Sequence, residues 1–519
     1  MSRPVNLSCG QKTAALVFAS LPHAAMVPTT ERTAAMTADH TFYWHDYETF
    51  GRVPRRDRPS QFAGVRTDAQ LKEIGEPLMV YCQPAPDSLP DPEACLLTGI
   101  TPQQCLAAGV PEHQFAAQIL AALGQPGTVG VGYNTIRFDD EVTRHLFWRN
   151  LIDPYGREWQ NGCGRWDILD VVRCCYALRP DGIQWPTHDD GRPSFKLEHL
   201  SAANGLVHEA AHDALSDVRA TIALARLIRD KQPRLFEFCL KLRDKNAVRD
   251  EISTAAAAGR PFLHISGMYP AERGCIGLVW PLAAHPTNKN EMVVWDLAHD
   301  PAQLLGLDAD TLRQRMFSKA DALPEGMTRL PVKTIHLNKS PIVINNLKTL
   351  QPALAQRWGL DMALGLQHAA WAQQHGAELA ALPWKAVFTR PDNGGPKPDV
   401  DEDLYGGFVN PADRRSLERL RTLSGEALAG KQPAFDDPRL AELLFRYRAR
   451  NWPATLSDDE QARWQQFRAD RLHDGAGGFT TLQQFLDQID TLSEAADERG
   501  QTILGELVDY AEMIAPDAN

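Results

Sequence analysis

Aromatic and β-branched residues crowd the stretch 42–49, and the pair Phe50-Gly51, typical of a turn, follows it. This composition predicts a β-strand. In a strand, side chains two residues apart point to the same face of the sheet. Asp46 and Glu48 are therefore expected side by side on one face of an otherwise hydrophobic segment.

The hydrophobic pattern beyond this strand predicts a mixed α/β sheet, because strands and helices follow one another along the chain. Further strands are expected at 61–66, 77–82 and 128–133, and helices at 103–108, 112–123, from Asp139 to Arg149, and at 165–173. One more helix is expected to start near Asp213, to run to about Arg229 and to end before Pro233.

The helix that starts near Asp213 carries a carboxylate at the head of an apolar stripe. Asp217, Thr221, Leu224 and Ile228 follow one another at i, i+4, i+7 and i+11, which is one face of a helix. Since an unpaired buried carboxylate is costly, we expect Asp217 to have a positive partner. His212 lies just before the helix, where its ring can reach whatever Asp217 binds.

Asp46 and Glu48 pose the same problem, because adjacent carboxylates on a hydrophobic face repel each other and lose hydration. A divalent metal ion between them would remove the cost, whereas an exposed edge strand would let both acids face water. Asp139, where a predicted helix begins, suits a carboxylate ligand, since the helix dipole favours negative charge there. Plain N-capping by Asp139 or Asp140 is the alternative.

Composition limits the class of protein. A chain of 519 residues with 43% hydrophobic and 23% charged residues describes a soluble globular protein of about two to four domains. Nine cysteines without a C-x-x-C pair indicate reduced thiols in a cytosolic protein. The net charge of −12 does not exclude nucleic-acid binding, because binding depends on where the cations cluster.

The order Asp46-x-Glu48, Asp139, His212-x4-Asp217 resembles the DEDDh 3′→5′ exonucleases, which have an RNase H-like fold. Longer strings narrow the resemblance to the bacterial exodeoxyribonuclease I family. These strings are residues 45–51, 132–144, 194–200 and 448–453. The resemblance runs from about Thr41 nearly to the C-terminus.

The resemblance implies three folded parts after an N-terminal extension, residues 1–40, that we expect to be disordered. They are an α/β RNase H-like exonuclease domain with a mixed sheet at 41–232, an SH3-like β-barrel domain at 233–386 and an α-helical C-terminal domain at 387–519. Short strands expected at Gly277–Trp280 and 291–295 are consistent with the barrel. A Pro-, Gly- and Asp-rich stretch at 391–403 is typical of a linker.

The resemblance also implies the roles of individual residues. Asp46, Glu48, Asp139 and Asp217 would hold two Mg²⁺ ions, with Mn²⁺ able to replace them, and His212 would be the general base. The expected DNA contacts are Glu48, Arg144, Tyr155, Trp159, Arg173 and Lys196. Lys196 stands where the family usually has arginine, so a bidentate grip on phosphate is not expected there.

By the same resemblance, the chain is expected to be a cytoplasmic, monomeric 3′→5′ exodeoxyribonuclease that degrades single-stranded DNA to 5′-mononucleotides in repair and recombination. It is expected to dock the C-terminal tail of single-stranded DNA-binding protein and to have no membrane association. Two alternatives remain open. A DEDDh exoribonuclease acting on RNA 3′ ends is disfavoured by the long additional domains, and a catalytically silent DNA-binding scaffold by the retention of all five motif residues.

Overall fold

The computed structural model describes residues 40–207, 213–389 and 397–516. The predicted extension, up to residue 39, and His212 lie outside the described residues. By their mutual contacts the residues group into two compact units, one drawn from 166–206 and 224–395, the other from 38–165, 207–223 and 396–519. Within the described ranges, no helix is long and apolar enough to cross a membrane.

A five-stranded sheet in the order β3-β2-β1-β4-β5 contains the strand that carries Asp46 and Glu48. The strands are β1 (Thr41–Thr49), β2 (Pro59–Thr67), β3 (Leu78–Tyr81), β4 (Thr128–Gly132) and β5 (Gly164–Asp167). β1 pairs antiparallel with β2 and parallel with β4, which confirms the predicted mixed sheet.

Three helices follow β3, namely α1 (Pro92–Thr98), α2 (Pro102–Ala108) and α3 (Glu112–Leu123). A fourth, α4 (Asp139–Arg149), follows β4. α3 and α4 cover one face of the sheet, where Tyr43, Tyr47 and Phe62 lie in a buried core with Phe115 and Phe147. Because side chains alternate along β1, Asp46 and Glu48 point to the opposite face.

The helix expected at 165–173 is wrong at its start. Residues 164–167 form β5, and α5 (Ile168–Leu178) begins only after them. The Asp167 side chain accepts a hydrogen bond from the Leu169 backbone N–H at 2.9 Å, so Asp167 is the N-cap and the helix cannot start earlier. Four residues are too few for their periodicity to have indicated this edge strand.

The helix expected near Asp213 is present as α7 (Ala214–Lys231), after the short α6 (Leu197–Ala203). Thr221, Leu224 and Ile228 are 3%, 1% and 0% exposed, which confirms that the stripe headed by Asp217 faces the protein interior.

A second five-stranded sheet, entirely antiparallel, has the order β10-β6-β7-β8-β9. Its strands are β6 (Phe262–Ile265), β7 (Ile276–Ala284), β8 (Glu291–Asp296), β9 (Val332–His336) and β10 (Ile342–Ile344). Both strands expected in the SH3-like part are therefore confirmed. The helices of this region are α8 (Pro233–Lys241), α9 (Lys245–Ala257), α10 (Ala309–Phe317), α11 (Pro352–Arg357), α12 (Met362–Gln374), α13 (Gly376–Ala380) and α14 (Trp384–Phe388).

The last described range, 397–516, is helical, as expected. It comprises α15 (Pro411–Arg421), α16 (Gly425–Leu428), α17 (Arg439–Asn451), α18 (Asp458–Leu472), α19 (Leu482–Ser493) and α20 (Glu498–Ile514). α19 and α20 share a core with the segment 50–105, since Phe485 and Leu507 pack with Phe50, Cys95 and Cys105. A second shared core joins Trp148 and Leu151 to α15 and α17.

Buried charged side chains also link the segment before α1 to the C-terminal helices α17 and α18. Asp87 is 0% exposed and accepts hydrogen bonds from Arg450 at 2.8 Å and from Arg471 at 2.9 Å. Burial raises the pKa of the Asp87 carboxyl, but Arg450, Arg58 and Arg471 outweigh burial and hold the pKa well below its usual range. Asp401, beside Arg450, is held ionised in the same way.

Candidate active site

Four carboxylates from three elements define the candidate site. β1 supplies Asp46 and Glu48, α4 begins with Asp139, and Asp217 lies in the first turn of α7. Carboxylate oxygens of Asp46, Glu48 and Asp217 lie within 4.8 Å of one another, close enough to share a metal ion. The period of two along β1 and the apolar stripe of α7 singled out Asp46, Glu48 and Asp217, and the fold brings these three side chains together.

Asp139 is fixed beside β1 by the backbone between the two strand ligands. Its Oδ1 accepts a hydrogen bond from the Tyr47 N–H at 3.1 Å. The hydroxyl of Thr143 lies 3.0 Å from the Tyr47 hydroxyl and 2.8 Å from the Asp139 carbonyl oxygen, which ties the first turn of α4 to the strand. Asp139 is 3% exposed, so its carboxylate is held against β1 away from solvent.

The N-capping alternative for Asp139 and Asp140 is wrong. The N-cap position of α4 is Phe138, and no side chain caps it. Asp140 instead accepts hydrogen bonds from Arg157 at 2.5 Å and from Arg165 at 3.0 Å. The two neighbouring acids therefore differ in surroundings, since Asp140 is matched by two guanidinium groups.

The electrostatics of the cluster favour a bound cation. Burial, followed by the charges of Asp217, Asp139 and Asp213, raises the pKa of Glu48 to about 8. The pKa of Asp46 is likewise raised well above its usual value by burial and then by Asp139, Glu48, Asp217 and Asp213. Protons or a divalent cation must therefore offset the repulsion, and the carboxylate oxygens that the described residues offer here fit Mg²⁺ or another hard ion.

Asp213 is a fifth acid at the site that the sequence pattern did not single out. Its Oδ2 accepts a hydrogen bond from the Ser216 N–H at 3.0 Å, so it caps α7 and also adds negative charge near Asp46 and Glu48. An Asp at the start of a predicted helix was the available signal. His212, which precedes it, lies outside the described residues, so its role stays a prediction.

The expected DNA contacts differ in accessibility. Trp159 is 64% exposed, as a base-stacking side chain should be. Arg144 is 5% exposed and pairs with Glu141 and Glu158 at 2.7 Å each, while its guanidinium lies 5.4 Å from the ring centre of Tyr155. In this arrangement Arg144 orients the Tyr155 ring, and phosphate binding by Arg144 stays a prediction.

Two aromatic residues near Tyr155 were missed because they come from far along the chain. The hydroxyl of Tyr405 lies 3.0 Å from Arg144 Nη1 and also contacts Glu141. The ring of Phe408, which is 87% exposed, is centred 6.0 Å from that of Tyr155. No local pattern connects residues more than 250 positions apart with this site.

Arg173 and Lys196 belong to the other compact unit. Arg173 is paired with Asp170 at 2.7 Å, and its side chain is 16% exposed. The Lys196 side chain is 60% exposed and lies 3.5 Å from Glu198. Both stay predicted DNA contacts, as does Glu48 in its second role.

A mixed sheet that presents clustered carboxylates defines the class as a metal-binding exonuclease, and comparison with known proteins agrees. The family model described as "Exonuclease" matches residues 43–225, "Exonuclease I SH3-like domain" matches 243–390, and "Exonuclease I C-terminal domain" matches 398–514. Exodeoxyribonuclease I of Haemophilus influenzae is 46% identical over 87% of this chain and 95% of its own length. The Escherichia coli enzyme is 44% identical over 91% and 98%. The chain belongs to the exodeoxyribonuclease I family.

Solved structures agree with this assignment. Exonuclease I from Methylocaldum szegediense is 46% identical with a TM-score of 0.84, and E. coli exonuclease I in complex with a dA16 oligonucleotide is 42% identical with a TM-score of 0.86. Each comparison covers 92% of this chain and 100% of the other. Other similar structures are a zinc-bound complex of E. coli exonuclease I with single-stranded DNA and an SSB/exonuclease I complex with an inhibitor. The expected family, fold class and enzyme class are confirmed.

Proposed function

We propose that this chain is a Mg²⁺-dependent 3′→5′ exonuclease that removes 5′-mononucleotides stepwise from single-stranded DNA. The observation that carries the proposal is the convergence of Asp46, Glu48 and Asp217, with Asp139 beside them, in a chain of the exodeoxyribonuclease I family. A buried cluster of acids with raised pKa values has no evident structural purpose without a cation.

The four carboxylates would hold two Mg²⁺ ions. Bound metal would supply an activated water and would neutralise charge on the attacking and leaving oxygens of the phosphodiester. Mg²⁺ is favoured because every available donor is a hard oxygen, and Mn²⁺, which accepts the same donors, could replace it. The protein's own contribution is to keep Asp46 and Glu48 at a fixed separation on a buried strand and to hold Asp139 through the Tyr47 N–H.

His212 is proposed as the general base. In the sequence it precedes Ala214, the first residue of α7, by two positions, and it precedes Asp217 of α7 by five. A histidine titrates near neutral pH and can take a proton from the attacking water. The negative charge of Asp213, Asp217 and their neighbours would stabilise the imidazolium that this transfer forms.

Single-stranded DNA would approach the carboxylates along exposed aromatic and cationic side chains. Trp159 would stack a base, as would Tyr155, whose ring Arg144 orients. Stacking on aromatic side chains accepts any base and is worth about 1–3 kcal/mol per base, so it suits an enzyme without sequence preference. Lys196 and Arg173 would contact phosphates, Lys196 through a single point charge.

The experiment that tests this function compares substrates. We expect 5′-labelled single-stranded DNA to yield a ladder shortened from the 3′ end, and 3′-labelled DNA to release labelled mononucleotide at once. Cleavage should need Mg²⁺ and stop with EDTA, and blunt duplex DNA should react slowly. Faster cleavage of RNA than of DNA would favour the exoribonuclease alternative, and DNA binding without cleavage would favour the scaffold.

The partner is proposed to be the acidic C-terminal tail of single-stranded DNA-binding protein. The enzyme is proposed to be monomeric and to act in DNA repair and recombination in the cytoplasm. A groove of about 380 Å³ supports it, since Leu178, Pro233 and Phe238 give it an apolar lining and Arg179 and Arg234 give it positive charge. Arg179→Ala should weaken binding of a labelled tail peptide and leave cleavage of bare DNA unchanged. Unchanged peptide affinity would exclude this groove.

A further inference from the structure

Gln61 is a buried neutral side chain among the acids of the site. It is 1% exposed and lies on β2 directly opposite Glu48 of β1. On its other side it is opposite Tyr81 of β3. Because directly opposite residues in an antiparallel pair share a face, Gln61 and Glu48 lie on the same face of the sheet as Asp46.

The Gln61 amide connects this sheet face to the helix that carries Asp217. Its Oε1 accepts a hydrogen bond from the Ala214 backbone N–H at 3.4 Å. The amide also hydrogen-bonds the Tyr81 hydroxyl, which accepts a second hydrogen bond from Gln104 Nε2 at 3.1 Å. Gln61 is thus held by β3 while it holds α7.

The hydrogen bond to Ala214 meets a specific need of α7. The first N–H groups of a helix have no partner within the helix. Asp213 takes the Ser216 N–H, and Gln61 takes that of Ala214, which is 0% exposed and out of reach of bulk water. Leaving a buried N–H without an acceptor costs about 1–3 kcal/mol, so without Gln61 the first turn would be displaced.

The charge of the group matters as well. Carboxylate oxygens of Asp46, Glu48 and Asp217 already lie within 4.8 Å of one another on this side of the sheet. A carboxylate could also accept the Ala214 hydrogen bond, but in the metal-free protein it would add repulsion to this cluster. An amide supplies the acceptor without the charge.

We propose that Gln61 is a positioning residue for the nuclease reaction. It holds the N-terminus of α7 against β2, so that Asp217, in the first turn of the helix, keeps its distance to Asp46 and Glu48. The inference rests on the proposed function, because it takes Asp217 to be a metal ligand.

Gln61→Leu tests it, with Gln83→Leu as the matched control. Gln83 is another glutamine beside the same sheet, and its Nε2 donates to the carbonyls of Leu106 and Gly109 at 3.2 and 3.1 Å, away from α7. We expect Gln61→Leu to lower kcat about 10–100-fold at little change in KM for single-stranded DNA, and to raise the Mg²⁺ concentration for half-maximal rate. Gln83→Leu should change neither.

A measurement without DNA or turnover accompanies the rates. Mg²⁺ binding by calorimetry should be weakened about 10–100-fold in Gln61→Leu and unchanged in Gln83→Leu. Gln61→Glu keeps the length and the acceptor oxygen, so at saturating Mg²⁺, where the added charge is offset, kcat should return to within about threefold of wild type.

The outcomes separate this inference from the function on which it rests. If the wild type cleaves with Mg²⁺ and Asp217→Asn does not, while Gln61→Leu matches the wild type in kcat and Mg²⁺ affinity, the positioning role is wrong and the function stands. If Gln61→Glu is as impaired as Gln61→Leu at saturating Mg²⁺, the acceptor oxygen is not what matters. A wild type without metal-dependent cleavage would overturn the function itself.

Discussion

At the scale of single residues, the site consists of negatively charged carboxylates that buried backbone holds close together. Asp46 and Glu48 could be predicted because a strand has a period of two, and Asp217 because a carboxylate at the head of an apolar helical stripe needs a partner. The distances of Asp139 and Asp217 from the two acids of β1 could not be predicted. They depend on the Tyr47 N–H that holds Asp139 and on the contact of Ala214 with Gln61, and both contacts join residues distant in sequence.

Asp217→Asn should abolish cleavage while largely retaining DNA binding, because one anionic ligand is lost. Asp217 is the largest charge contribution to the raised pKa of Glu48, so the metal-free variant should also melt at a higher temperature than the metal-free wild type, by an amount equivalent to about 1–3 kcal/mol. Nuclease assays and thermal melts in EDTA measure both effects. Asp190→Asn, in an exposed pair with Arg192, serves as the control. Cleavage at the wild-type rate would remove Asp217 from the ligand set.

The metal-free protein should lose stability as the pH rises from about 5 to 8. The pKa of Glu48 is raised to about 8 in the folded state, so between its ordinary pKa and 8 the folded protein binds more protons than the unfolded one. Stability then falls with increasing pH, by an amount on the order of a few kcal/mol. Urea unfolding in EDTA across this range measures it. Adding Mg²⁺ should reverse the trend, and a stability that rises with pH in EDTA would contradict the raised pKa.

At the scale of secondary-structure elements, strongly periodic segments were predictable and the four-residue strand β5 was not. The bounds of α3 agree with the expected 112–123, since its apolar spacing is regular and Gly124 follows it. β5 was taken for the start of a helix because Arg165 and Trp166 carry no alternating pattern. The anchor of α7 at Gln61 arises from packing between distant residues, which the local sequence does not encode, whereas the cap of α7 by Asp213 is a local contact.

Asp87→Asn should destabilise the protein by about 3–5 kcal/mol, because it removes a fully buried carboxylate that pairs with both Arg450 and Arg471. The low pKa of Asp87 contributes stability that is present above its ordinary pKa and is lost as the pH falls below it. The variant should therefore lose less stability than the wild type between pH 5 and 3. Urea unfolding at several pH values measures both effects.

Glu93→Gln is the control for Asp87→Asn. Glu93 pairs with Arg52 at 2.7 Å, but the two side chains are 49% and 68% exposed. An exposed pair contributes about 0–1 kcal/mol, so this variant should unfold like the wild type. Equal effects of the two substitutions would mean that the buried charges at Asp87 contribute no more than a surface pair.

At the scale of the whole molecule, residues far apart in sequence complete one another's cores. Asp87 and Arg450 are 363 positions apart, and Phe50 packs with Leu507. The expected bounds of 41–232 and 387–519 separate these partners. The division of the chain into three domains stays a prediction, but the shared cores place α1 to α4 and the C-terminal helices in one compact unit. Composition and linker signals carry no information about such pairing.

A fragment of residues 41–232 should therefore fail to fold as a stable monomer. Without the C-terminal helices, Phe50, Cys95 and Cys105 lose their buried partners, and Asp87 loses two arginines. Circular dichroism melting and size-exclusion chromatography would test this, with the full-length chain as the reference. A soluble fragment with a cooperative melt would show that the C-terminal helices are dispensable for the fold.

The central claim is that the carboxylate cluster hydrolyses the 3′ end of single-stranded DNA, and Asp46→Asn tests it most directly. A 5′-labelled oligonucleotide is bound to wild type and variant without metal, binding is followed by fluorescence anisotropy, and Mg²⁺ is then added while products are resolved over time. We predict that both proteins bind, that only the wild type yields a ladder shortened from the 3′ end, and that the small product is a 5′-mononucleotide by mass. Cleavage by Asp46→Asn at the wild-type rate would contradict the account.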